Sequence, residues 1–195
     1  DSMHLTDLKN TLHPDLYAVL EKLGFDELRP SQEKSINQGL FQGNNLLVCT
    51  PTASGKTLVA EMAALQHILN GVGTCIYIVP LRALASEKYK EFKKRYDHIA
   101  KIGISIGDTD SPEEYLAKYD IVFCTSEKLD SIIRHHATWL QKVKLIVIDE
   151  IHLLNDSSRG PTLEILITLL QQILTHVQLV SLSATIGNAE ELAQW

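Results

Sequence analysis

Six short runs of apolar and β-branched residues punctuate the chain: 45–50, 74–80, 101–106, 120–125, 144–150 and 178–185. Each is unbroken rather than alternating, the pattern of strands buried on both faces. Between them, Gly55–Asn70 and Pro161–Leu174 carry apolar residues at three- and four-residue spacing, which predicts amphipathic helices. Two further helical patterns, Leu16–Leu23 and Ser31–Gln42, precede the first strand. Strand and helix in alternation predict an α/β fold with a mainly parallel sheet flanked by helices. There is no internal repeat, low-complexity tract or long linker. Ligands of such sheets bind beyond the carboxyl ends of the strands, so the strand ends are where chemistry is to be sought.

The first strand runs into Pro51-Thr52-Ala53-Ser54-Gly55-Lys56-Thr57 and then a helix. Strand, four residues, G-K-[ST] and helix make a P-loop. Small side chains let backbone N–H groups turn inward around a polyphosphate, and the helix start adds its free amides and positive dipole end. Lys56 would reach the β- and γ-phosphates, and Thr57 would offer its hydroxyl to Mg²⁺. The pattern departs at one place, where Thr50 stands for the first glycine. A second strand, "KLIVIDEIH", ends in Asp149-Glu150-Ile151-His152. Two carboxylates at the end of a buried strand are costly unless a cation lies near. A nucleotide in the P-loop brings one. Asp149 would hold Mg²⁺, and Glu150 would orient and deprotonate an attacking water.

Composition narrows the class. The chain has 195 residues, 45% hydrophobic and 22% charged, the balance of a globular protein. No apolar run approaches the roughly 18 residues of a membrane span. Cys49, Cys75 and Cys124 are odd in number, lie in strand-like runs and have no zinc spacing, so they read as reduced core thiols of an intracellular protein. A net charge of −6 argues against a simple basic nucleic-acid-binding module, but not against a motor that grips phosphates with backbone amides. The local basic cluster Glu87–Tyr96 reads as a solvated helix face, and His135-His136 as a solvated loop pair.

With G-K-T, then D-E-I-H, then Ser183-Ala184-Thr185, the sequence resembles superfamily 2 nucleic-acid helicases of the DExH type. The likeness covers nearly the whole chain. It implies a RecA-like P-loop domain over 31–195, preceded by a helical segment over 1–30 that leads into a Q motif. "GFDELRPSQ" is similar to that motif, which assigns Gln32 to the adenine edge, with Phe25 or Tyr17 packing beside the ring. "PLRALASEKY" is similar to motif Ia and "TSEKLDS" to a later strand-binding motif. Both open helices after strand ends, where amides can hold nucleic-acid phosphates. Arg82, Thr125 and Ser126 are the candidate contacts, with a plain N-cap role as the alternative for Thr125 and Ser126. In such motors the S-A-T strand lies between the P-loop strand and the D-E-x-H strand. Ser183 and Thr185 would then sit near His152 and relay the state of the γ-phosphate to the nucleic-acid face.

Within the superfamily, "DEIHLL", "RGPTLE" and "LSATIGNAEELAQW" are similar to the archaeal DNA-repair helicases related to human helicase Q. This implies ATP and Mg²⁺ as cofactors, single-stranded or branched DNA as partner, and unwinding in the 3′ to 5′ direction. RNA helicases of the exosome and spliceosome branches share "RGPTLE", so RNA remains an alternative. Two others are a non-catalytic RecA-like interaction module and a small P-loop kinase; the latter would need an arginine-rich lid and lack the D-E-x-H and S-A-T pair. Such helicases carry a second RecA-like domain whose arginines complete the ATP site. No strand–helix series follows Thr185, and Arg159 is not placed as an arginine finger. The chain is therefore expected to be the first motor domain of a larger helicase, nearly inactive alone.

Overall fold

The computed structural model describes residues 2–51, 55–107, 114–153, 163–184 and 191–194. All six expected strands form: β1 (Leu46–Thr50), β2 (Thr74–Ile78), β3 (Ile102–Ser105), β4 (Ile121–Cys124), β5 (Val143–Ile148) and β6 (Gln178–Ala184). They are mutually parallel in the order β3-β4-β2-β5-β6-β1. A seventh strand, β7 (Glu191–Gln194), adds antiparallel to the outer edge of β1. The hydrophobic pattern did not signal it, because "ELAQ" is not an unbroken apolar, β-branched run like the other six. The helices are α1 (Pro14–Lys22), α2 (Pro30–Asn37), α3 (Lys56–Leu69), α4 (Arg82–Tyr96), α5 (Ser126–Arg134) and α6 (Leu163–Ile173). Among the described residues, no helix is long and apolar enough to cross a membrane.

The period of two along each strand divides the core in two. On one face Val48, Tyr77, Phe123, Val147 and Val180 pack with α1, α3 and α4. On the other, Ile76, Ile78, Val122, Ile146, Ile148 and Leu179 pack with α5 and α6. Strands buried on both faces explain why the runs carry no polar alternation. The N-terminal segment joins the first of these cores through Leu5, Leu8, Leu12, Leu16 and Leu20. It is also tied to α3, where Gln66 accepts from the His13 amide (2.7 Å) and donates to the Thr11 carbonyl (3.2 Å).

One helix is shorter than its pattern. The helical stretch predicted to reach Gln42 stops at Asn37, and a separate 3₁₀ turn covers Leu40–Gln42. Gly39 between them has φ +97°, and a Cβ there would lie 2.1 Å from Asn44 Nδ2. That amide donates to the Gln38 carbonyl (2.8 Å), so a side chain meets one carbonyl left open at the helix end. The break lies just before β1.

Candidate nucleotide site

Beyond the carboxyl ends of β1, β5 and β6 the predicted residues converge. Thr52, Ala53 and Ser54 lie outside the described residues, as do Arg159 and Thr185. Gly55 caps α3 with φ +95°, a conformation natural to glycine. A Cβ there would also meet Arg29 Cδ at 2.5 Å. Lys56 is the first residue of α3 and is completely buried. Its ammonium forms an ion pair with Glu150 Oε1. A buried lysine is tolerated because a carboxylate meets it directly.

Asp149 is likewise fully buried. Its amide donates to the Ile78 carbonyl (2.9 Å), prolonging the β2–β5 pairing by one residue. Oδ1 accepts from the Glu150 amide at 2.8 Å, and Oδ2 accepts from the Tyr77 hydroxyl at 2.7 Å. Lys88 Nζ stands 3.7 Å from the same Oδ2. Burial, then the neighbouring Asp149 carboxylate, pushes the Tyr77 phenol well above its ordinary range, so it stays a donor. Glu150 has φ +53°, a left-handed conformation that costs a non-glycine residue on the order of 1 kcal/mol. The strain turns its carboxylate back across the strand end, toward Lys56.

His152, in a 3₁₀ turn over Ile151–Leu153, is where β5 meets β6. The β6 strand lies between β5 and β1, as the resemblance implied, and pairs Cys49 with Ser183. The Ala184 amide donates to His152 Nδ1 at 3.2 Å, and Ser183 Oγ lies 3.4 Å from the same nitrogen. An amide N–H can only donate, so Nδ1 is an acceptor and the neutral ring carries its proton on Nε2. That nitrogen is 3.5 Å from Glu150 Oε2. One imidazole thus links the D-E-x-H carboxylate to the S-A-T strand.

Gln32 is buried, in the first turn of α2. Its Oε1 accepts from the Arg29 amide and its Nε2 donates to the Gly55 carbonyl, both at 2.8 Å. Gln32 is therefore a strut between α2 and Gly55, at the start of α3. Arg82 is exposed as the first residue of α4, just past β2. Thr125 is buried and caps α5, accepting from the Lys128 amide at 3.3 Å, and Ser126 opens that helix. Since β2 and β4 are sheet neighbours, both helix starts emerge at the same edge.

The basic cluster 87–96 needs correcting: it is not merely a solvated face. Lys88 points inward at Asp149, and Arg95 binds Glu61 Oε1 on α3 at 2.9 Å. The signal was present in the spacing, because Lys88 and Arg95 flank buried Phe92 at helical intervals, on the side that meets the sheet. Glu61 and Tyr77 were also missed. They sit in apolar runs, where nothing in the residue pattern distinguishes a network member from an isolated polar group. Burial pushes the Glu61 carboxyl upward, against the pull of Arg95. Burial also pushes up the thiol of Cys75, and none of the three cysteines forms a disulfide.

The arrangement can cradle a polyphosphate, hold a divalent cation and position a water. Asp149 and Thr57 supply hard oxygen donors that suit Mg²⁺. No cluster of three or more His, Cys, Asp or Glu that could hold a metal ion stands among the described residues.

A parallel sheet carrying this site is that of a helicase motor: the sequence pattern of the DEAD/DEAH box helicases matches residues 29–192, and the chain belongs to that family. It is 49% identical over 177 residues to a protein of Pyrococcus horikoshii, and 52% identical over 184 residues to one of Methanococcus vannielii. Both relatives are named ATP-dependent DNA helicase Hel308. Each alignment covers 91% of this chain but 24% of the relative, so the chain spans about a quarter of their length. Among solved structures it resembles the DUF1998 helicase MrfA bound to DNA and AMPPNP, with a TM-score of 0.76 and 30% identity. That likeness covers 91% of this chain and 27% of the other.

Proposed function

We propose that this chain is the first, ATP-binding motor domain of an ATP-dependent DNA helicase that unwinds 3′ to 5′ in DNA repair or replication-fork processing. The observation that carries the reading is the meeting of Lys56, Glu150, His152 and Ser183 at one strand edge. Gly55, Lys56 and the amides of Thr52, Ala53 and Ser54 hold the phosphates of ATP. Gln32 still has one N–H and one lone pair for the adenine edge after its two internal bonds. Thr57 and Asp149 hold Mg²⁺, which when bound offsets the negative charge of the transferred phosphoryl group. Lys56 moves from Glu150 to the phosphates, and this frees the carboxylate to orient and deprotonate water. A second RecA-like domain supplies the arginines. The domain alone therefore turns over slowly, with a shortfall of about 10³–10⁵ in rate where such an arginine is missing.

Ser183, Thr185 and His152 couple hydrolysis to movement, and Arg82, Thr125 and Ser126 meet the nucleic-acid backbone. In full-length protein, Ser183→Ala with Thr185→Ala is expected to leave DNA-stimulated ATPase largely intact while unwinding falls severalfold. Equal loss of both activities would remove the coupling role.

The test of substrate is ATP turnover by the full-length protein with single-stranded DNA and RNA of matched sequence. Stimulation mainly by DNA is expected. Stimulation mainly by RNA would move the protein to the RNA-processing branch and leave the motor chemistry standing.

A further inference from the structure

The register of the sheet places Phe123, Tyr77, Val147, Val180 and Leu46 in one row across β4, β2, β5, β6 and β1. Only Tyr77 brings a polar side-chain atom into that row. Val147 and Asp149 are two residues apart on β5 and its continuation, so they fall on the same face of the sheet. Tyr77 stands beside Val147, and its hydroxyl reaches one step further along, to Asp149 Oδ2 at 2.7 Å.

A carboxylate turns about its Cβ–Cγ bond unless donors meet both of its oxygens. Asp149 Oδ1 accepts from the Glu150 amide, a backbone donor that any residue at position 150 other than proline would supply. Oδ2 accepts from Tyr77, a donor that only the side chain at position 77 provides. An ionised carboxylate can only accept, so the hydroxyl donates, and its length is that of a charge-assisted bond. Lys88 Nζ, 3.7 Å from the same oxygen, is too distant for a hydrogen bond and adds charge without direction. Tyr77 is itself held in place. Its side chain is buried, its ring stacks on Phe123 with centroids 4.6 Å apart, and it lines the same small cavity as Thr57.

We infer that Tyr77 is a positioning residue of the Mg²⁺ site: its hydroxyl holds the Asp149 carboxylate in the orientation in which, with Thr57, it takes the ion. The inference rests on the assignment of Asp149 as a Mg²⁺ ligand, and goes beyond it by giving β2 a part in the site. Partners that orient a ligating carboxylate contribute to metal affinity without touching the metal. Tyr77 acts through Asp149, so its effect belongs in the metal dependence of nucleotide binding.

The test is Mg²⁺ titration of fluorescent ADP binding by the full-length protein, with binding in EDTA as reference and thermal melting to establish folding. Tyr77→Phe keeps the ring and its stacking and removes only the hydroxyl. It should raise the Mg²⁺ concentration for half-maximal effect by about tenfold, the low end for loss of a partner that orients a metal ligand. Asp149→Ala should raise it at least as far, and adding Tyr77→Phe to Asp149→Ala should bring no further rise. Phe123→Leu keeps the hydroxyl but loosens the ring that carries it; it should shift the dependence in the same direction, and it stands in if Tyr77→Phe does not fold. Wild-type binding that ignores Mg²⁺ would overturn the assignment of Asp149, and this inference with it. A wild-type Mg²⁺ dependence left unshifted in folded Tyr77→Phe, or in Phe123→Leu where only that variant folds, would overturn the Tyr77 role alone. So would an equal rise from Tyr77→Phe with and without the Asp149 carboxylate.

Discussion

Lys56→Ala is expected to lower ATP turnover by the full-length protein about 10²–10³-fold, the usual effect of deleting a group that stabilises charge in the transition state. Two losses combine. The phosphates lose a cation delivered from the first residue of α3. Glu150 loses the partner that balances its charge and fixes its direction. Nucleotide affinity should therefore fall together with the rate. Steady-state ATPase with saturating single-stranded DNA, measured beside a thermal melt, separates this chemistry from a folding defect. Turnover within threefold of wild type in a folded variant would remove Lys56 from the phosphate site.

Glu150→Gln is expected to separate binding from hydrolysis. The side chain keeps its size and can still accept from Lys56, but it cannot take a proton from water. Hydrolysis should fall by about 10²–10⁴, the range of general-base contributions. Binding should hold or tighten, because Lys56 leaves a neutral amide more readily than a carboxylate. Single-turnover hydrolysis and equilibrium binding of a nucleotide analogue measure the two effects independently. A parallel fall in both would mean that Glu150 serves the structure of the loop rather than the water.

The sheet and the ends of its strands were legible because two signals coincide. Runs such as Leu145–Ile148 are apolar without alternation, and polar residues suited to chemistry begin where the runs stop. The placement of Ser183 beside His152 was legible as well, but through the likeness to other motors, since spacing alone carries no strand order. The inward face of α4 was harder to see. Lys88 and Arg95 sit among five other basic or acidic residues between Glu87 and Lys94, and a charge-rich stretch looks solvated until the partners across from it are known. Glu61 is one carboxylate inside an apolar helix, and only the fold brings Arg95 to it. The short edge strand β7 depends on pairing with β1, which is non-local information.

The paired lysines also bear on how such a motor lets go. With Lys56 on Glu150 and Lys88 near Asp149, the site satisfies its own charges. On the proposed function, a nucleotide whose phosphates take Lys56 displaces its contact with Glu150 on entering and restores it on leaving. Affinity is lowered by that difference, but departure is hastened by it. For a machine that takes many short steps along a strand, the residence time of spent ADP limits speed as surely as the chemical step does. A pocket that closes its own ion pairs after each step keeps that waiting time short.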